Sequence, residues 1–463
     1  MAELVAAPSP PVSKTVDQWL ADAGAHEQAG RFVEAELLMA QIIAAKPNYH
    51  PALNQAAIVS FKRKRTPEAI ERLARAIALA PEVMIYHRNI CELYRTQNRL
   101  DEAMAHALRA VELAPEDAGA HYNLSVVRYD RLEIAEAITA VRRSLALDPS
   151  NASAHFELAE CLLADGQFEE GWREYEWRFD LPGVPKPLPS VHRGPLWDGR
   201  PIPDGKLLLI GDQGFGDTIQ FCRYLPMVAE RCPQIVMGCS PEMRQIVGQQ
   251  PGITEYFDHW DHISAFEAYC PLSGLPRLFG TDLATIPARV PYVRADAAKA
   301  KQWRQRLDTL VPRGFRRIGL VWAGRPTHGN DHNRSMRLKA LGPLCRIADV
   351  AFLSLQKGPA VAEIGSYFGA APLINLGAEI EDYSDTAAIL DSIERVVTVD
   401  TSVAHLGGAM GRPVSILVPY APDWRWLLGR SDSPWYPSVT LYRQARPGDW
   451  TGPVEAVARS LAR

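Results

Sequence analysis

Three loops concentrate the residue types that do chemistry. The first, Gly211-Asp212-Gln213-Gly214-Phe215-Gly216-Asp217-Thr218, follows the short apolar run at 206–211 and opens a helix. Glycines there let backbone N–H groups approach a ligand, and a helix start favours negative charge. Gln213, Gly214 and Gly216 form a candidate acceptor or phosphate loop. Asp217 has two readings from its position alone: a cap on the first helical turn, or a catalytic base. The spacing is neither the dinucleotide GxGxxG nor a P-loop, since no GK[ST] follows.

The second loop is Asp400-Thr401-Ser402-Val403-Ala404-His405-Leu406-Gly407-Gly408, again a strand end leading into a helix. Thr and Ser hydroxyls beside free N–H groups at a helix start suit a phosphate. His405 lies on the face of Thr401 by i, i+4 spacing, as a site residue or as a satisfied core histidine behind an N-cap. Gly407, Gly408 and Gly411 are costly in one helix unless something packs closely. The third loop, Trp322-Ala323-Gly324-Arg325, runs on to His328, Asn330, Asp331, Arg334 and Ser335, and Lys357 ends the next strand. Singly, Arg325, Arg334 and Lys357 read as surface cations. Together, at neighbouring strand ends, they read as a clamp for a diphosphate. No DxD-type carboxylate pair stands at a strand end to carry a divalent metal, so helix ends and basic side chains would neutralise a leaving phosphate. No GxSxG elbow or Cys–His pair suggests a covalent hydrolase.

The loops need sheets to hold them. Apolar runs at 206–211, 234–239, 316–324, 349–358, 395–402 and 413–419 alternate with helical stretches at 221–231, 241–249, 297–310 and 384–393. Strand–helix alternation predicts parallel α/β sheets, here in two blocks, 204–312 and 313–463. Two Rossmann-like domains facing across a cleft are expected, because ligands in such sheets bind beyond the carboxyl ends of the strands.

Upstream the period changes. Ala35, Ala69, Ala103, Ala137 and Gly171 step by 34 residues, as do Pro47, Pro81, Pro115 and Pro149. That is the period of the tetratricopeptide helix pair, with a small residue where two helices cross and a proline past the second. About five repeats over 16–180, after a flexible lead at 1–15, predict a helical solenoid with a concave binding surface. Trp19 fills an early inner position. Trp172, Tyr175, Trp177 and Phe179 in the last helix read as a plug against the next domain. Seven prolines in 181–203 predict an extended linker without helix or inner strand.

Composition narrows the class. The 463 residues are 47% apolar and 22% charged with net charge −4, which is ordinary for a globular protein and gives no reason to expect nucleic acid. No stretch is long and apolar enough to span a bilayer, and the N-terminus lacks a secretory pattern. Seven scattered cysteines without a CxxC pair suit a reducing compartment, so a cytoplasmic location is expected.

At these residues the chain resembles the bacterial heptosyltransferase-like glycosyltransferases (family 9) fused to tetratricopeptide repeats. GFGDTIQFCRYLP resembles the family's Gly-Asp motif, and VTVDTSVAHLGGAMGRPVSILVP its Asp-Thr-Gly-x-x-His donor segment. PLWDG, VWAGRPTHGNDHNRS, SLQKG, DTAAIL, PDWRWLLGRSDSPWYPS and LYRQ are similar to the repeat-fused branch. Ser402 stands where the family carries glycine, and Asp212 where that branch carries glutamate. The resemblance implies a GT-B fold and a metal-independent, inverting transfer of a sugar from a nucleotide-sugar to a hydroxyl, with no other cofactor. It implies Asp217 as the base, with Asp400, Thr401, Ser402, His405, Lys357, Arg325 and Gly324 toward the donor. The acceptor would be a protein or glycan presented by the repeats. The alternative is an inactive scaffold mediating protein–protein interaction; an epimerase on the same fold ranks third.

Overall fold

A small residue repeating every helix pair is a statement about where backbones touch, and the computed structural model, which describes residues 15–257 and 259–462, bears this out. The periodic region is five consecutive helix pairs: Val16–Gln28 with Phe32–Ala45, His50–Lys62 with Thr66–Leu79, Met84–Arg95 with Leu100–Leu113, Ala118–Asp130 with Ile134–Leu147, and Ala152–Ala164 with Phe168–Tyr175. The small residue is the fourth of every second helix. Ala35, Ala69, Ala103 and Ala137 are fully buried. A Cβ on Gly171 would stand 2.8 Å from Leu163 Cδ2 on the partner helix, so even alanine is too large there. Each proline follows two residues after its helix ends. The expected lead at 1–15 lies outside the described residues except for Thr15, whose hydroxyl accepts from the Gln18 N–H and caps the first helix.

The chain divides into two compact units between Asn151 and Ala152. The first holds four helix pairs around apolar clusters such as Leu53, Leu73, Tyr86 and Ile90. The second holds the fifth pair together with all the sheet structure. In that unit Trp172 donates its indole N–H to the Thr281 carbonyl at 2.9 Å. Its ring stands edge-on to Trp424 at 5.2 Å, and Phe168 stacks on Trp435 at 6.2 Å. Trp177 stays on its own helix pair, stacked on His155 at 4.0 Å. Residues 181–203 form no helix or regular strand. Their end is laid along the sheet: the Trp197 N–H donates to the Tyr269 carbonyl at 2.8 Å, and Tyr269 N–H to the Pro195 carbonyl at 3.0 Å.

The first sheet has strands β1 (Leu207–Ile210), β2 (Ile235–Gly238), β3 (Ile253–Phe257) and β4 (Ala268–Pro271), in the order β3-β2-β1-β4. The second has β5 (Arg316–Val321), β6 (Val350–Ser354), β7 (Leu373–Asn375), β8 (Arg395–Val399), β9 (Val414–Val418) and β10 (Val439–Arg443), in the order β10-β9-β8-β5-β6-β7. Every pairing is parallel. Strands β1, β2, β6 and β9 are buried throughout, as parallel strands covered on both faces are, and read as unbroken apolar runs. Strand order reverses between β1 and β4 in the first sheet and between β5 and β8 in the second.

Helix Ala297–Leu310, which the sequence pattern grouped with the first block, belongs to the second sheet. Lys299 bonds Ser384 at 2.6 Å, the Trp303 indole donates to Asp385 at 3.1 Å, and Arg306 pairs with Glu379 at 3.0 Å. The stretch before this helix is therefore the crossing between sheets, in place of residue 312. The seven cysteines are free, six of them buried. Among the described residues no helix is long and apolar enough to cross a membrane.

Candidate functional site

The reversal in the first sheet lies between the loops that follow β1 and β4, and these are tied together. Asp212 accepts from the Ser273 backbone N–H at 3.1 Å and from the Ser273 hydroxyl. Buried Arg178, from the short helical turn Glu176–Asp180 after the last helix pair, donates to Ser273 Oγ at 2.9 Å and lies 3.6 Å from Asp212 Oδ2. Burial raises the Asp212 carboxyl above its usual range, although Arg178 and Ser273 work against this. Gln213 pairs its amide with the Tyr175 hydroxyl, Nε2 to Oη 2.9 Å. The loop is thus fixed before the helix Phe215–Phe221 begins.

Asp217, in that helix's first turn, takes up both roles a carboxylate can play at a helix start. Its Oδ2 accepts the Gly214 N–H at 2.9 Å, the expected cap. Its Oδ1 pairs with the Arg425 guanidinium. Arg425, buried, also holds both oxygens of Asp423 at 2.9 Å, donates Nε–H to Gln220 Oε1 at 2.8 Å, and lies 4.2 Å over the Trp424 ring. Burial works to raise Asp423, but Arg425 outweighs it and holds the carboxyl below its usual range. Asp423, Arg425 and Gln220 were not singled out in the sequence.

Asp400, one residue past β8, is pushed up to about 6 by burial and by the neighbouring negative charge of Asp423, with Trp426, Arg334 and Arg425 opposing. His405 Nε2 lies 3.9 Å from Asp400 Oδ1, and its Nδ1 is 2.9 Å from the Tyr436 hydroxyl. Burial and the charge of Arg425 depress the imidazole to about 3, so it is neutral. The Thr401 side chain makes no cap bond; its hydroxyl sits 3.0 Å from Thr398 Oγ1. Ser402 Oγ lies 2.6 Å from the Tyr383 hydroxyl. The helix glycines meet protein: a Cβ on Gly407 would lie 2.7 Å from Val414, one on Gly408 2.5 Å from Tyr436, and Gly411 turns the chain at φ +67°.

The loop after β5 is folded on itself. Gly324 donates to Ser335 Oγ at 2.8 Å, and a Cβ there would meet Arg334 at 2.6 Å and Asp331 at 2.7 Å. Buried Gln356 clamps the loop, its Oε1 accepting the Trp322 and Ala323 N–H groups at 3.0 Å each. Arg325 is exposed, and its charge acts on the Tyr383 phenol. Lys357 is exposed, with its ammonium on the Ile380 carbonyl.

The two sheets meet at this point. A Cβ on Gly216 would lie 2.8 Å from His405 Cδ2, and the Phe215 ring stands edge-on to Tyr383 at 5.1 Å. The structure therefore brings Gly214, Gly216, Asp217, Asp400, His405, Ser402 and Arg334 into one neighbourhood, with Arg325 on the Tyr383 side. Lys357 is spent on a backbone carbonyl. This geometry offers a helix start beside arginines, suited to an anion, and a carboxyl that burial and Asp423 hold above the usual carboxylate range. Among the described residues no group of three or more His, Cys, Asp or Glu is placed to hold a metal ion.

Residues 55–118 and 122–175 match the tetratricopeptide repeat family model. The helix pairs are tetratricopeptide repeats. Protein FlbA of Caulobacter vibrioides is 27% identical over 336 residues, which take in 65% of this chain and 54% of FlbA. The chain thus spans about half the length of that curated relative. Among solved structures, PilF of Pseudomonas aeruginosa is similar at 21% identity, covering 35% of this chain and 74% of its own, with TM-score 0.33. A tetratricopeptide protein of Thermus thermophilus is similar at 20% identity over 36% of this chain and 91% of its own, with TM-score 0.33. MamA of Desulfovibrio magneticus is similar at 16% identity over 35% of this chain and 91% of its own, with TM-score 0.32.

Proposed function

We propose that the sheet-bearing unit is a glycosyltransferase of GT-B type that transfers a sugar from a nucleotide-sugar to a hydroxyl, with inversion and without a metal. One observation carries the reading: the turn at Gly214–Asp217 faces the turn at Asp400–His405, each beyond the carboxyl end of a strand where the strand order reverses. Open parallel sheets bind ligands at such points. Numbered within itself, the second sheet runs in the order 3-2-1-4-5-6 of a Rossmann fold, and the first begins the same order.

In this reading the helix start at Ser402, with Arg325, Gly324 and Asp400, holds the donor diphosphate and sugar. Lys357 joins them on leaving the Ile380 carbonyl. Asp217 takes the acceptor proton, and Arg425 must first yield the oxygen it now holds. The tetratricopeptide surface binds an extended protein or glycan acceptor, and the free thiols suit a cytoplasmic location.

A scaffold that binds protein partners without catalysis is the second reading. It is favoured by the full engagement of Asp217 and by the packing that accounts for Gly407 and Gly408. A thermal-shift screen against nucleotides and nucleotide-sugars, with and without EDTA, separates the two, since a ligand of the folded state raises the melting temperature. An EDTA-insensitive shift is expected. No shift at millimolar ligand would leave the scaffold. With a donor in hand, Asp217→Ala should abolish transfer and leave the donor-induced shift in place.

A further inference from the structure

Six residues of the second unit close a ring of contacts. The Tyr175 hydroxyl meets the Gln213 amide at 2.9 Å. Gln213 precedes Gly214, whose N–H reaches Asp217 at 2.9 Å. Asp217 pairs with Arg425, Arg425 lies 4.2 Å over Trp424, and Trp424 stands edge-on to the Tyr175 ring at 6.0 Å. Tyr175 itself is buried and braced: Arg178 lies 4.9 Å over its ring and donates Nη1–H to its carbonyl at 2.8 Å, while Trp172 stands edge-on at 6.0 Å.

We infer that Tyr175 is a positioning residue that fixes the Asp217–Arg425 pair from behind, which makes the last tetratricopeptide pair a working part of the candidate site. The role of that pair in transfer rests on the function proposed above; the positioning of the loop does not. The physical basis is that Tyr175 grips both ends of the pair at once. Its hydroxyl sets the loop whose Gly214 N–H the Asp217 carboxylate caps, and its ring packs on the indole on which the Arg425 guanidinium rests. A buried aromatic ring with a hydrogen-bonded hydroxyl holds such a geometry at little cost in entropy, because it has few rotatable bonds.

The test uses the full-length protein. Tyr175→Phe removes the hydroxyl and keeps the ring against Trp424. Loss of one buried hydrogen bond should speed amide exchange at Gly214–Phe221 about five-fold, with the melting temperature nearly unchanged and exchange in Val396–Ala409 unaltered. Gln213→Ala should give the same acceleration, and the double variant should add nothing to either single one. Tyr175→Leu, which also empties the space beside Trp424, should extend the acceleration to Asp423–Leu427. Unchanged exchange at Gly214–Phe221 in both Tyr175→Phe and Gln213→Ala overturns the inference, as does full additivity in the double variant. If exchange responds as expected but the wild-type protein shows no nucleotide-sugar shift, the positioning stands and the transferase reading fails. If a donor is found, Tyr175→Phe should lower turnover with the donor-induced shift retained, and unchanged turnover overturns the role in catalysis.

Discussion

Gly216 faces His405 between the two sheets, so close that a Cβ on Gly216 would stand 2.8 Å from the imidazole Cδ2 and 3.3 Å from Nε2. His405 has little freedom to retreat, because it is buried, bonded to Tyr436 and tilted against Trp426 at 5.3 Å. Gly216→Ala should therefore destabilise the protein by about 1–3 kcal/mol, as overpacking does. Gly214→Ala is the control: its backbone is extended at φ −76°, and an added Cβ would meet only Asp217 Oδ2, at 3.1 Å. Its cost should stay under about 1 kcal/mol. Urea midpoints compare the two, and equal costs would show that the His405 contact is soft.

Arg425 satisfies two carboxylates in a buried setting. Arg425→Met should cost about 3–5 kcal/mol, because Asp217 and Asp423 would be left without their counter-charge. Arg425→Met with Asp423→Leu should recover part of that loss, since the second change removes the stranded charge. Denaturant unfolding of both variants measures this, and a double variant no better than the single one would deny the pairing its role.

Asp400 and His405 bend stability with pH in opposite directions. The folded imidazole titrates near about 3 where a free one titrates near 6.5, so its contribution is complete above 6.5 and is lost as pH falls toward about 3. The folded Asp400 carboxyl keeps its proton to about 6 where an unfolded one loses it near 3.8. Its contribution is complete below 3.8 and is lost as pH rises through about 6. The melting temperature of Asp400→Asn minus that of wild type should thus grow between pH about 4 and about 6 and level off above. His405→Gln should flatten the acid limb. A difference for Asp400→Asn that is constant over this range would place the carboxyl in an ordinary environment.

Helix propensity alone would have Gly171→Ala stabilise its helix by about 1 kcal/mol. The 2.8 Å approach to Leu163 reverses that expectation. The variant should melt below wild type, and a higher melting temperature would mean the helix crossing relaxes freely.

The repeats were legible because their signal is steric and periodic: one small residue per crossing, one proline per exit. Strands β1, β2, β5, β6, β8 and β9 were legible because burial on both faces leaves unbroken apolar runs. β3 and β7 escaped notice as half-exposed edge strands, the latter of three residues. β4 ends on proline, and β10 alternates buried with exposed positions. Asp217, Asp400 and His405 could be found from their places at strand ends. Asp423 and Arg425 could not, because the loop after β9 has no period and its charges acquire meaning only against Asp217, some two hundred positions earlier in the chain. Gln356 was hidden likewise: a buried amide that clamps two N–H groups carries no pattern beyond its own residue type. Gly407 and Gly408 signalled close packing, against Val414 and Tyr436, whereas Gly411 lies past the helix and is required by its turn at φ +67°.

By its period the helix pair at 152–175 is a repeat like the others, yet it is committed to the sheet-bearing part of its unit through Trp172 and Tyr175, and through Arg178 in the short turn Glu176–Asp180 that follows. These commitments fix the trailing end of the array. A 34-residue unit duplicated or lost before Asn151 leaves these commitments intact, whereas loss of 152–180 removes the support of the Asp212–Gln213 loop. Over generations, copy number can drift in the leading repeats while the trailing one is held in place, and a designer exchanging repeats to recruit a new partner should cut at the same seam.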